Sequence, residues 1–129
     1  MVDQGALTAW PVENIPDNHN PFMGIHKRWF KPDGTVQPGA FRNHDGGMST
    51  DWSKYSTPEE TRERRRTPRD NAVLRMNVGR VRAVPGQAVE HTPNWEERNR
   101  AHSDVVGEKN EEARVLLRRT AEIVLPLPV

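Results

Sequence analysis

The chain has 129 residues, 33% of them hydrophobic, no cysteine and a net charge of +1, a size that fits one domain burying roughly two-thirds of the surface its unfolded chain exposes. Without cysteine there is no disulfide framework, thiolate metal site or Cys nucleophile. No apolar run approaches the ~20 residues that span a bilayer, and the N-terminus offers neither a basic leader nor an apolar signal core, so a soluble cytoplasmic protein with no membrane partner is expected.

A mean hydropathy of −0.90, with eleven prolines and nine glycines, predicts a small core with much irregular chain. Four tryptophans and three phenylalanines supply the large buried area that disordered tails lack. Residues 1–21 carry Asp3, Glu13 and Asp17 and no Lys or Arg, so the 19 basic and 15 remaining acidic residues leave +4 on the rest. A basic body behind an acidic leader points modestly to nucleic acid.

Pro11, Pro16 and Pro21 stand amid Asn and Asp without apolar periodicity. Residues 1–21 therefore read as an extended arm, pinned by Trp10 and Ile15 to a single compact α+β domain of residues 22–129. FMGIHKRWF, residues 22–30, reads as a strand with Phe22, Gly24, His26, Arg28 and Phe30 on one face, followed by a turn at Asp33-Gly34. Thr57 and Glu60 form a T-x-x-E capping box with Pro58 at the first helical position, which predicts a short surface helix ending near Arg66.

AVLRMNV, residues 72–78, alternates as a half-buried strand. Gly79 then shifts the phase like a β-bulge before RVRAV resumes on the opposite parity. QAVEH and RAHSDVVG, residues 100–107, offer two further strands. In residues 110–124, Asn110 can cap and Ala113, Leu116, Leu117, Thr120, Ala121 and Val124 make one apolar stripe, the mark of an amphipathic helix. The LPLPV tail, with Pro126 and Pro128, suits an edge or a polyproline segment. The fold expected is α+β: a small, mainly antiparallel sheet packed by the C-terminal helix, with a long irregular N-terminal arm.

One stretch concentrates potential chemistry: FRNHDGGMSTDW, residues 41–52. Gly46-Gly47 permit a sharp bend that exposes backbone N–H groups, which with Arg42, Ser49 and Thr50 can cradle a phosphate. A turn in which Asn43 and Asp45 bond their own backbone accounts for the same residues. Histidine is the residue type whose unperturbed pKa lies near neutrality, so His26, His44, His91 and His102 are the default proton-transfer candidates, with His44 and His102 the acid/base candidates. A β-strand would set Arg100, His102 and Asp104 on one face. No metal-ligand spacing and no cofactor motif appears.

Arg62, Arg64, Arg65, Arg66 and Arg69 cluster at the end of the capped helix and suit phosphates. Ion pairs with Glu59, Glu60 and Glu63 at helical spacing explain them equally. Trp10, Trp95, Leu125 and Leu127 are candidate partner contacts, with stacking on a base and covering the chain's own core both open to Trp95.

A histidine-bearing first strand, then GGMST, then a capped helix resembles the motif order of ADP-ribosyltransferase and RNA 2′-phosphotransferase folds over about a third of the chain. That resemblance implies a nucleotide set against an Arg or His and a Ser/Thr, though the chain offers no assured glutamate for the later position. Two functions follow. One is a non-catalytic module binding a protein or nucleic-acid partner through its arginines and terminal arms. The other is a small histidine-dependent enzyme acting on a nucleotide or RNA phosphate, which requires the segments around His44, Ser49 and His102 to meet.

Overall fold

The computed structural model describes residues 10–129, so the first nine residues of the expected arm lie outside the described residues. Among these residues six strands form one antiparallel sheet: β1 (Phe22–His26), β2 (Met48–Asp51), β3 (Asn71–Met76), β4 (Ala88–His91), β5 (His102–Val106) and β6 (Ala121–Leu125). Their order is β4-β5-β2-β1-β3-β6. Among the described residues, three short helices complete a small α+β domain: α1 (Pro58–Glu63), α2 (Val78–Arg82) and α3 (Glu111–Arg119).

Side chains alternate along a strand and opposite residues of a ladder share a face. One face of this sheet carries Met23, Ile25, Met48, Leu74, Met76, Val89 and Val105, all buried in the core cluster. Trp52, Phe41, Val78 and Val81 join that cluster, as do Ala113 and Leu117 from α3. The opposite face carries Gly24, Ser49, Asp51, His102 and Asp104, aligned by the pairs Ser49 with Asp104 and Asp51 with His102. β1 and β2 pair only at Phe22 and Asp51, so the centre of the sheet has a seam on this polar face.

Local chemistry explains most boundaries. The capping box at α1 forms in full, Thr57 Oγ1 accepting from Glu60 N and Glu60 Oε1 from Thr57 N, each at 3.1 Å. The helix ends at Glu63 rather than near Arg66, just short of Thr67-Pro68, where proline disfavours helical backbone at the residue before it. Asn110 caps α3 through Ala113 N at 2.9 Å. Gly34 adopts the positive φ of 86° that the Asp33-Gly34 turn requires.

Four expectations are corrected. The first strand stops at His26, whose Nδ1 accepts from Arg28 N at 3.1 Å and starts a 3-10 turn over Lys27–Trp29. The strand expected to be half-buried is covered on both faces, Ala72, Val73 and Leu74 all being buried, because Leu74 and Met76 enter the core cluster while α1 also packs against β3.

Gly79 is no bulge: residues 78–82 form α2, nucleated by the Asn77 side chain accepting from Arg80 N at 3.0 Å, with Val78 and Val81 buried one turn apart. The apolar stripe of residues 110–124 divides at Thr120, which ends α3. Ala121–Leu125 then leave the helix to pair with the open edge of β3, where β-branched Ile123 and Val124 fit better than in a helix.

Residues 10–21 form no helix or strand, yet they are tied to the body. Ile15 is buried, Arg82 Nη1 donates to Ile15 O and Asp17 Oδ1, each at 2.7 Å, and Trp52 Nε1 donates to His19 Nδ1 at 2.9 Å. Glu13 accepts from Lys54 Nζ at 2.6 Å and from the Tyr55 hydroxyl. These partners hold its carboxyl below the usual carboxylate range.

Candidate functional site

Two clefts open on the polar face along the β1–β2 seam, and both are lined by Gly24, Ser49 and Arg65. The first adds Asp51, Arg64, Asn99, Glu97 and His102. The second adds His26, Arg28, Arg42 and His44. Together they form one groove in which cations outnumber carboxylates.

Arg65 sits where the clefts join. A Cβ placed on Gly24 would lie 2.5 Å from Arg65 Cδ, so the glycine is what lets the arginine lie flat on the strand. Its Nε donates to Asn71 Oδ1 at 3.3 Å. Desolvation against the strand lowers the guanidinium's affinity for the proton, Asp51 counters it, and the like charge of Arg28 adds a smaller lowering. Arg42 and Arg28 lie over the Trp29 ring, at 5.1 and 5.6 Å from its centroid, an arrangement that holds their charge near the second cleft.

Asp51 organises the first cleft. Its Oδ1 accepts from Asn99 Nδ2 at 2.8 Å, and its Oδ2 from Thr61 Oγ1 and Arg64 Nη1, each at 2.9 Å. With both oxygens engaged, this buried carboxylate ties β2, α1 and the loop before β5 together. Arg64 also donates to Ser56 Oγ at 2.8 Å.

His102 is placed by register. Thr92, just beyond β4, donates its N–H to His102 O at 2.9 Å, which brings its side chain to the imidazole. His102 Nδ1 lies 2.9 Å from both Thr92 Oγ1 and Thr92 O. Thr92 Oγ1 in turn donates to Asp104 Oδ2 at 3.0 Å. On its other side, His102 Nε2 lies 3.3 Å from Ser49 Oγ.

The residues singled out in the sequence thus divide. Ser49 and His102 meet, and Arg42, His44, Arg64 and Arg65 line the same groove. Thr50 points its chemistry elsewhere: its hydroxyl is buried 2.7 Å from Ser103 Oγ. Arg62 secures chain, donating to Asn71 O at 3.1 Å and to Pro126 O. Arg66 and Arg69 are exposed and line neither cleft. Among the described residues, Glu59, Glu60 and Glu63 form no ion pair with these arginines.

Three further details differ from expectation. Arg100 does not share a strand face with His102: it precedes β5 and lies 4.3 Å from the Tyr55 ring centroid, so Asp104 reaches the imidazole through Thr92 instead. Asp45-Gly46 form a tight turn with φ of 50° and 98°, closed by His44 N donating to Gly47 O at 2.7 Å. Asn43 does not bond its own backbone but reaches Gly107 O and Lys109 Nζ, at 3.0 and 2.5 Å.

Trp95 packs within the chain, meeting Trp10 edge to face with ring centroids 4.6 Å apart and lying 4.2 Å from the Arg98 guanidinium. Leu125 belongs to β6, and Leu127 is partly buried after it.

Sequence reasoning missed Asp51, Thr92 and Asn99. Asp51 lay inside the quoted stretch, where strand alternation with Ser49 was the available signal. Thr92 and Asn99 had none, because their roles depend on the β4–β5 pairing and the loop between those strands. Among the described residues no helix is long and apolar enough to cross a membrane, and no group of three or more His, Asp or Glu side chains is placed to hold a metal ion. No family model, curated protein or solved structure matches this chain.

Proposed function

We propose that the groove binds the phosphate of a nucleotide or RNA, through a contact surface narrower than the arginine cluster read from sequence. The observation that carries this reading is Arg65 laid across Gly24 at the junction of two clefts that also present Arg28, Arg42 and His44. Guanidinium groups offer planar, always-charged forks suited to phosphate oxygens. Asp51, a carboxylate of the first cleft, has both oxygens engaged by Asn99, Thr61 and Arg64.

The terminal arms have a smaller part in this reading. Trp10 meets Trp95 edge to face and Pro126 is held by Arg62, so Trp10 and the LPLPV tail both have partners within the chain. The test is fluorescence anisotropy of a labelled single-stranded RNA over a salt series, with inorganic phosphate as competitor. Affinity should fall with rising salt, and Arg42→Ala or Arg65→Ala should each reduce the log–log slope by about 0.7, one phosphate contact on a single strand. Binding that ignores salt, or slopes unchanged in both variants, would overturn the reading.

A further inference from the structure

We propose that Ser49 is a nucleophile and His102 its general base, acting on a phosphate ester held in the groove; this assignment rests on the phosphate-binding reading above. The proton positions follow from what each atom can do. Thr92 O only accepts, and it lies 2.9 Å from His102 Nδ1, so Nδ1 carries the hydrogen of the neutral imidazole. Nε2 is left with a lone pair facing Ser49 Oγ at 3.3 Å. The Asp104 carboxylate also only accepts, so the Thr92 hydroxyl donates to it at 3.0 Å and offers its own lone pair to Nδ1–H.

Every hydrogen in the chain therefore points from Ser49 toward Asp104. This is the arrangement of an activated nucleophile: a hydroxyl, a base within reach and a further group that fixes the base's tautomer and supports its charged form. Thr92 stands between base and carboxylate, which makes Thr92 and Asp104 positioning residues. Ser49 itself is exposed to the groove, whereas its neighbour Thr50 is buried against Ser103 on the core face. The other charged groups on the His102 side of the groove are Arg64 and Arg65 from the turn after α1, Glu97 from the loop before β5, and Asp51 from β2.

The step balances without a co-reactant other than water. Ser49 Oγ bonds to phosphorus as the bond from phosphorus to the leaving oxygen breaks. The serine proton passes to His102 Nε2 and then to that oxygen. Water, deprotonated by the same Nε2, releases phosphate and restores Ser49, while Arg65 meets the charge on the non-bridging oxygens.

The test uses the full chain and a fluorophosphonate probe, in which the Oγ–P bond forms as fluoride leaves. Mass spectrometry should find the adduct on Ser49, Ser49→Ala should lose it, and His102→Gln should slow labelling by about 10²–10³-fold. Thr92→Val should move the rise of labelling rate to lower pH, since the imidazolium loses its link to Asp104, an effect that loss of packing alone would not produce. Nitrogen NMR of His102 should show the Nδ1–H tautomer.

Inorganic phosphate binding, measured on every variant, separates the two readings. Unlabelled Ser49 in a protein that binds phosphate, labelling indifferent to His102→Gln, or the Nε2–H tautomer would each overturn the nucleophile. Labelled Ser49 without phosphate binding would overturn the substrate class. Release of nitrophenolate from p-nitrophenyl phosphate rather than bis(p-nitrophenyl) phosphate would assign a monoester, and the reverse a diester.

Discussion

Asp51→Ala removes the acceptor on which three segments converge, and the structure sets the scale of the loss. The carboxylate takes neutral bonds from Asn99 and Thr61 and a charged one from Arg64. Neutral bonds contribute about 1 kcal/mol each and charge-assisted ones ~1.5–3 kcal/mol. The Arg64 side chain is 31% exposed, which places its bond at the weak end of that range. Thr61 and Arg64 also keep Ser56 as a partner, at 3.1 and 2.8 Å, so the total expected is about 3 kcal/mol.

For a chain of this length that loss corresponds to a melting point lower by roughly 10 °C. Urea unfolding of Asp51→Ala, Arg64→Ala and the double variant measures both the total and the coupling, which should be about 1–2 kcal/mol. A loss under about 1 kcal/mol in the single variant, with additive effects in the double, would refute the role of Asp51 as the anchor of α1 and the groove.

Other expectations follow from single contacts. Gly24→Ala should displace Arg65 while sparing stability, because the added Cβ meets a flexible side chain; phosphate affinity should fall about tenfold, the equivalent of ~1.4 kcal/mol, and unchanged affinity would remove Arg65 from the site. Gly107→Ala should cost about 2–4 kcal/mol in urea unfolding, since φ there is +126° and a Cβ would meet the Gly86 carbonyl oxygen at 2.1 Å.

Lys109 supplies a pH signature. Its Nζ bonds Asn43 Oδ1, Val105 O and Gly107 O at 2.5–3.0 Å, and burial pushes its ammonium down to about 8, with Asp104 countering. Between that value and the ordinary 10.5, the unfolded chain binds the extra proton, so stability should rise with pH across this window and be flat below it. The comparison is with Lys109→Met, whose stability should lack that rise; parallel curves would place the titration elsewhere.

Much of the fold was legible in the sequence because it was written in short-range chemistry. The capping box at Thr57, the Asn110 cap and the Asp33-Gly34 turn need only neighbours a few residues away, and each formed as read. Errors fell where a residue answered to distant chain. The stripe of residues 110–124 suited a helix, but the edge of β3 was vacant and took Ala121–Leu125. RVRAV suited a strand, but the Asn77 cap and the backbone of Asp17 and His19 drew Val78–Arg82 into a helix.

The candidate site followed the same division. Sequence alone determined which side chains were available: Ser49, His102, Arg42 and Arg65 were all named from composition, spacing and charge. Only tertiary structure decided that Ser49 faces His102 across the β2–β5 ladder while Thr50, one residue on, turns into the core. A single step along a strand reverses the face, and which face becomes groove depends on where β1, β2 and β5 pair, a matter of long-range register that no local pattern encodes.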